Sequence, residues 1–335
     1  MESLLCDEVW LSSPETDGCC DDHHEPPQKW RSFEIGDGCS KEERYETNVM
    51  YLEKESCYLP EPGYVDYLLS NNDLMQSRSR AIQWFIKSRS RLNLSFVTVF
   101  NAVNYLDRFI SMNHCQGWRY LMVELLSVAC LAVASKFTET SAPSLLKIQE
   151  DLDYCFQPNT IKRMELTLLQ ALGWRLDCIT TYSFVDLLIS NLDSMDSHVL
   201  DELSTRVTKV LFGYMIDFQL LKYRPSVVAV SALWCSLEGL MLPSHAHLAH
   251  ITKLFKHDQK DDVVKCHTTM KSRGEDPLCN IRVCGRPCYW PSSPVTVLLR
   301  ERIDIYDCQV DLSMFKNIVP AAGSNLESCK KRRKK

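Results

Sequence analysis

Leu121-Met122-Val123-Glu124-Leu125-Leu126-Ser127-Val128-Ala129-Cys130-Leu131-Ala132-Val133-Ala134-Ser135-Lys136-Phe137 is apolar on nearly every side of a helical wheel. Such a run either crosses a membrane or forms the centre of a helical core. Glu124 and Lys136 decide for the core, because a charge at bilayer depth is costly. The expectation is a central helix buried on most sides. The N-terminus reaches Glu2, Asp7 and Glu8 without a basic stretch and does not read as a secretion signal. The 16 cysteines are therefore expected to be mostly reduced thiols.

Working outward from this helix, the neighbouring segments also repeat at helical spacing. Asn71-Asn72-Asp73 offers a helix start ahead of Ala81, Ile82, Phe85, Ile86 and Arg89, with Trp84 on the apolar side. Ser95 can cap a helix striped by Val99, Val103, Leu106, Phe109 and Ile110. Two shorter helices should open near Pro143 and after Pro158, the second running through Met164, Leu166, Leu168, Leu169 and Leu172 to stop at Gly173. From Thr180 the pattern begins again, with Phe184, Leu187 and Leu188, then Val199, Leu203, Val207, Val210 and Leu211. A run opened by Pro225 follows, and weaker helices at about 245–256 and 260–272. Ser127-Val128-Ala129 and Ser226-Val227-Val228 echo each other 99 residues apart, a domain length rather than a solenoid repeat. With no period-2 segment between 61 and 270, the fold class expected is all-α, two tandem five-helix bundles.

Composition narrows the chemistry. Between Gly63 and Met270 only Gly117, Gly173, Gly213 and Gly239 supply glycine, and no GxGxxG or GxxxxGK[ST] occurs, so nucleotide-cradling loops have no support. Charge is uneven. Residues 1–60 carry 15 acidic and 5 basic side chains, residues 61–270 carry 21 and 20, and residues 271–335 carry 7 and 13. A balanced core-forming block is thus flanked by an acidic leader and a basic tail, both expected to be mostly disordered. The domains expected are 1–60, 61–178, 179–272 and 273–335. Neither Cys19-Cys20 with His23-His24 nor Cys279, Cys284 and Cys288 has the paired spacing of a zinc site, so no metal or other cofactor is expected. Nothing builds a nucleophile elbow or oxyanion loop, and the chain does not read as an enzyme.

Three strings carry a resemblance: Asn104-Tyr105-Leu106-Asp107-Arg108-Phe109, Val133-Ala134-Ser135-Lys136-Phe137-Thr138-Glu139-Thr140, and Met164-Glu165-Leu166 with Trp174 further on. They resemble the cyclin box, and more closely that of D-type cyclins. The likeness covers about 61–272, more loosely in the second half through Thr181-Tyr182-Ser183-Phe184 and Tyr223-Arg224-Pro225-Ser226. Ser292-Ser293-Pro294-Val295-Thr296-Val297-Leu298 and the leader's Leu4-Leu5-Cys6-Asp7-Glu8 are similar to segments of plant D-type cyclins. The resemblance implies a non-catalytic activator that holds a cyclin-dependent kinase by its C helix, so that the kinase forms the Lys–Glu pair that orients ATP phosphates. It assigns kinase binding to Lys136, Glu165 and Trp174, and makes Arg78 and Asp107 a structural pair tying the first helix of the box to the second. On the residues alone, Lys136 closes an otherwise apolar helix and needs an acidic partner. In many cyclins the first helix of the box docks RxL-type motifs. Here it reads Ser77-Arg78-Ser79-Arg80-Ala81 with Trp84 and, at the acidic position, Lys87, so RxL docking should be weak or absent.

The arms carry the remaining candidates. Leu4, Cys6 and Glu8 fit L-x-C-x-E; in an extended strand all three share one side, which suits a groove with backbone donors for the carboxylate. By resemblance the partner is a retinoblastoma-related pocket protein, delivered to the kinase as substrate, in promotion of G1/S entry. Kinase-inhibitor proteins are a further partner class; direct nucleic-acid and membrane partners are not expected. Ser13 and Ser293 precede prolines and are candidate phosphorylation sites. Lys330, Lys331, Arg332, Arg333, Lys334 and Lys335 read as a nuclear import signal, giving a nuclear protein with room for cytoplasmic shuttling. The competing reading is a cyclin-fold transcription adaptor of the TFIIB type, although the basic core and zinc ribbon usual there are missing.

Overall fold

The computed structural model describes residues 41–272 except 114, 116–117, 119, 153, 193–194 and 243–254. The leader candidates Leu4, Cys6, Glu8 and Ser13, the cysteine clusters, Ser293 and the basic block 330–335 lie outside the described residues, as does the helix expected at about 245–256.

All regular structure among the described residues is helical: α1 Lys41–Lys54, α2 Tyr64–Ser70, α3 Asn72–Leu92, α4 Phe96–Asn113, α5 Tyr120–Thr138, α6 Leu145–Ile148, α7 Pro158–Ala171, α8 Thr181–Ser190, α9 Ser197–Met215, α10 Pro225–Gly239 and α11 His257–Ser272. Short 3₁₀ turns follow α1 at Glu55–Tyr58 and α9 at Phe218–Lys222. The central run is α5. It is long and apolar enough to cross a membrane by composition, yet every residue from Val123 to Ser135 is buried inside the protein. Helices α3, α4, α6 and α7 pack around it. In the second bundle α10 takes the same place, with α8, α9 and α11 against it.

Local signals set several boundaries. The Asn71 side chain accepts from the Leu74 N–H at 3.3 Å and caps α3. Ser95 Oγ accepts from the Thr98 N–H at 3.2 Å at the head of α4. Helix α6 is capped by Ser144 rather than opened by Pro143, and is a single turn. Pro158 and Pro225 sit in the first turns of α7 and α10, where a missing N–H costs nothing.

The ordered region begins earlier than the composition suggests. Residues 41–58, assigned above to a disordered leader, form α1 and its 3₁₀ turn. The acids of Lys41–Lys54 hide this helix, because its few apolar contacts, Tyr51 and Leu52, are supplied by the second bundle. The two cores also share material. Phe96 and Phe100 belong to α4 but are buried with Tyr182, Phe184 and Leu211 of the second bundle. Phe100 and Tyr182 lie 5.4 Å apart, centroid to centroid.

Candidate kinase-binding face

Lys136 stands in the last turn of α5 and Glu165 on the inner face of α7, beside the buried Ile161, Met164 and Leu168. The packing of α5 on α7 brings the two together: Lys136 Nζ donates to both Glu165 oxygens at 2.7 Å. The lysine itself is not enclosed by the core. Its side chain is 52% exposed while that of Glu165 is 10% exposed, so it projects from the solvent end of α5 and roofs the carboxylate. A half-exposed pair is screened and contributes about 1 kcal/mol at most to stability. The fold does not depend on it.

Three large apolar side chains, at the end of α5, on α7 and just after α7, are exposed. Phe137 is 50% exposed, Leu166 48% and Trp174 64%. Phe137 and Leu166 directly follow Lys136 and Glu165 in the chain. The sequence reading ran α7 through Leu166 without separating its faces; 161, 164, 168 and 172 already complete the inner face and leave Leu166 outside it.

Trp174 is not a core residue. Helix α7 ends with the Gly173 N–H donating to the Gln170 carbonyl at 3.1 Å and the Trp174 N–H to the Leu169 carbonyl at 3.0 Å. Gly173 has φ +60° and so does Trp174. The first is the usual glycine stop; the second is unfavourable for a bulky side chain and is kept although the ring buries little. A cost paid in the backbone to present an indole to solvent points to a partner.

Arg78 and Asp107 lie well inside. Arg78 Nε donates to Asp107 Oδ1 at 2.6 Å and Nη2 to Oδ2 at 2.8 Å, joining α3 to α4. The Tyr64 hydroxyl adds a bond to Oδ1 at 2.7 Å. Burial lowers the affinity of Arg78 for its proton, but the Asp107 carboxylate more than reverses this and the guanidinium stays charged. Arg78 also reaches the Met215 and Ile216 carbonyls at 3.4 Å, at the end of α9, so the pair joins the two bundles as well as two helices. On the same helix Arg80 is exposed, with its guanidinium 5.1 Å from the Tyr120 ring centre, and Lys87 meets Asp151 at 3.1 Å. A cleft lined by Tyr58, Phe100, Asn104, Leu211 and Val228 lies between the bundles, not at the Lys136–Glu165 pair. Exposed apolar side chains on α5 and α7 with a charged pair joining the two helices suit a partner helix laid across them.

The family comparisons agree with this architecture. The model of the cyclin N-terminal domain matches residues 47–177 and that of the cyclin C-terminal domain residues 179–282. The chain is 34% identical to "Putative cyclin-D7-1" of Oryza sativa subsp. japonica over 261 residues, 76% of each chain. It is 32% identical to "Cyclin-D4-1" of Arabidopsis thaliana over 245 residues, 72% of this chain and 79% of the relative. A viral cyclin from herpesvirus saimiri shares the fold at a TM-score of 0.50 and 16% identity, over 60% of this chain and 87% of that one. Neither the family models nor these relatives support the transcription-adaptor reading. Tandem cyclin domains, plant D-type relatives and an all-helical two-bundle structure lead to one conclusion: the chain belongs to the cyclin family, whose members are regulatory, non-catalytic subunits of kinases.

Proposed function

We propose that the chain activates a cyclin-dependent Ser/Thr kinase and directs it to a retinoblastoma-related pocket protein, promoting G1/S entry. The observation that carries the kinase half is the Lys136–Glu165 pair, joined through two 2.7 Å bonds, together with the exposure of Phe137, Leu166 and Trp174 at the end of α5, on α7 and just after it. A kinase helix laid on this face gains apolar contact from the three side chains. The charged pair is available to its backbone and polar groups, and loses solvent screening as the interface closes. Held there, the helix keeps its own glutamate turned toward the ATP-orienting lysine. Lys136→Glu and Glu165→Lys should each abolish activation of a co-expressed kinase, and Lys136→Glu, at a half-exposed position, should leave the free protein folded. Normal activation by either variant would remove the assignment.

The pocket-protein half rests on Leu4, Cys6 and Glu8 and on the plant D-type relatives. Cys6→Gly with Glu8→Lys should abolish pocket-protein binding and leave kinase binding intact, since the two surfaces are separate. Arg80 leaves an exposed positive charge where an RxL motif would bring its own; Lys87 is partly answered by Asp151. Recruitment through the leader is accordingly the proposed route to substrate. Nuclear entry is assigned to 330–335, and deletion of that block should reduce nuclear accumulation.

A further inference from the structure

Residues 41–58 precede the first bundle in the chain but pack on the second. Tyr51 meets Phe184 of α8 edge to face at 5.8 Å, Arg44 donates to the Ser190 carbonyl at the end of α8, and Leu52 lies against the same core. Glu55 completes the attachment. It has no exposed surface; Oε2 accepts from the Ser226 N–H at 3.0 Å and Oε1 from Ser226 Oγ at 3.0 Å, with Arg224 Nη1 3.7 Å away.

The chemistry is that of a helix cap supplied from 171 positions away. At the head of α10 the N-cap residue Arg224 makes no side-chain cap of its own, and Pro225 has no N–H. The Ser226 N–H is the first orphan donor of the helix, and a carboxylate there also meets the positive end of the helix dipole. A fully buried carboxylate is costly unless such donors receive it. The other end of the segment is tied to the first bundle. Asn104 Nδ2 donates to the Tyr58 carbonyl at 2.8 Å, and the guanidinium groups of Arg108 and Arg175 lie 5.6 and 5.3 Å from the Tyr58 ring centre.

We infer that residues 41–58 form a strap across both bundles and that Glu55 is its positioning residue, a latch that holds the strap on the second bundle through the head of α10. On the proposed reading of Leu4, Cys6 and Glu8, the segment that follows that motif in the chain is the one latched on the second bundle.

Hydrogen exchange on the full chain tests the latch independently of that reading. In Glu55→Ala, peptides from 41–54 and from the first turn of α10 should exchange on the order of tenfold to a hundredfold faster, the loss expected for hydrogen bonds to a buried charged group. Peptides from α3, α5 and α7 should not change, and kinase binding should be retained. Glu55→Gln, whose amide oxygen still accepts from the Ser226 N–H, should stay within about threefold of the parent and keeps the test available if the alanine variant does not fold. Glu53→Gln, an exposed acid of the same segment, should be silent. Unchanged exchange at 41–54 in Glu55→Ala would overturn the inference, as would an equal rise in every helix. If instead the leader reading fails, Cys6→Gly with Glu8→Lys leaves pocket-protein binding untouched while the exchange result stands.

Discussion

Replacing Trp174 by glycine separates a residue that the fold needs from one that the partner needs. The structure sets two opposed terms. With 64% of the residue exposed, about a third of a side chain of roughly 250 Å² is withdrawn from water, and losing that burial costs about 2 kcal/mol at most. Against this, φ +60° costs a non-glycine residue about 1–2 kcal/mol that glycine does not pay. The net change should lie within about 1 kcal/mol, a melting shift of at most about 4 °C, where truncating a core tryptophan would cost about 3–5 kcal/mol. Kinase affinity should fall by at least roughly thirtyfold, because a large exposed aromatic is the usual anchor of an interface. Thermal melting of the free protein and titration against the purified kinase give the two numbers. A melting temperature lowered by about 10 °C or more would show Trp174 to be a packing residue, and undiminished kinase affinity would show that the strained backbone serves something else.

Three further perturbations follow from the described geometry. Asp107→Ala leaves the Arg78 guanidinium buried without its carboxylate and should cost about 3–5 kcal/mol, read as an early and single unfolding transition in denaturant, because Arg78 also bridges to α9. Met241→Gly should raise the melting temperature by about 2–4 °C: Met241 ends α10 at φ +55°, is 94% exposed, and its neighbour Leu242 closes the turn onto the Leu237 carbonyl at 3.0 Å. His267 stacks on Trp234 at 4.0 Å and faces Glu238 and Lys271. Burial lowers its pKa first, with Lys271 adding to this and Glu238 opposing it. A histidine held below its unfolded value contributes stability above that value and loses it as pH falls through the folded one. Melting should therefore weaken as pH falls below about 6.5, the ordinary histidine value, and His267→Phe, which keeps the stack without a proton to gain, should flatten that dependence.

Short-range chemistry was legible in the residues themselves. An all-round apolar run bounded by Glu124 and Lys136 identified α5, Asn71 and Ser95 announced their helices, and Gly173 announced a stop, because capping and periodicity act within a few positions. The partner of Lys136 could be named from its type and from the family likeness, but its exposure could not, since that depends on where the end of α5 meets the end of α7. The leader was misjudged between 41 and 58 because the atoms that order it lie on α8 and α10, and an acid-rich segment gives no sign of a distant helix head waiting for a carboxylate. Phe96 and Phe100 stand on α4 of the first bundle and are buried in the core of the other. Tertiary structure alone decided these points: local sequence specifies which faces are apolar and where helices begin, while the choice of neighbour for each face is made by long-range packing, whose partners are far apart in the chain.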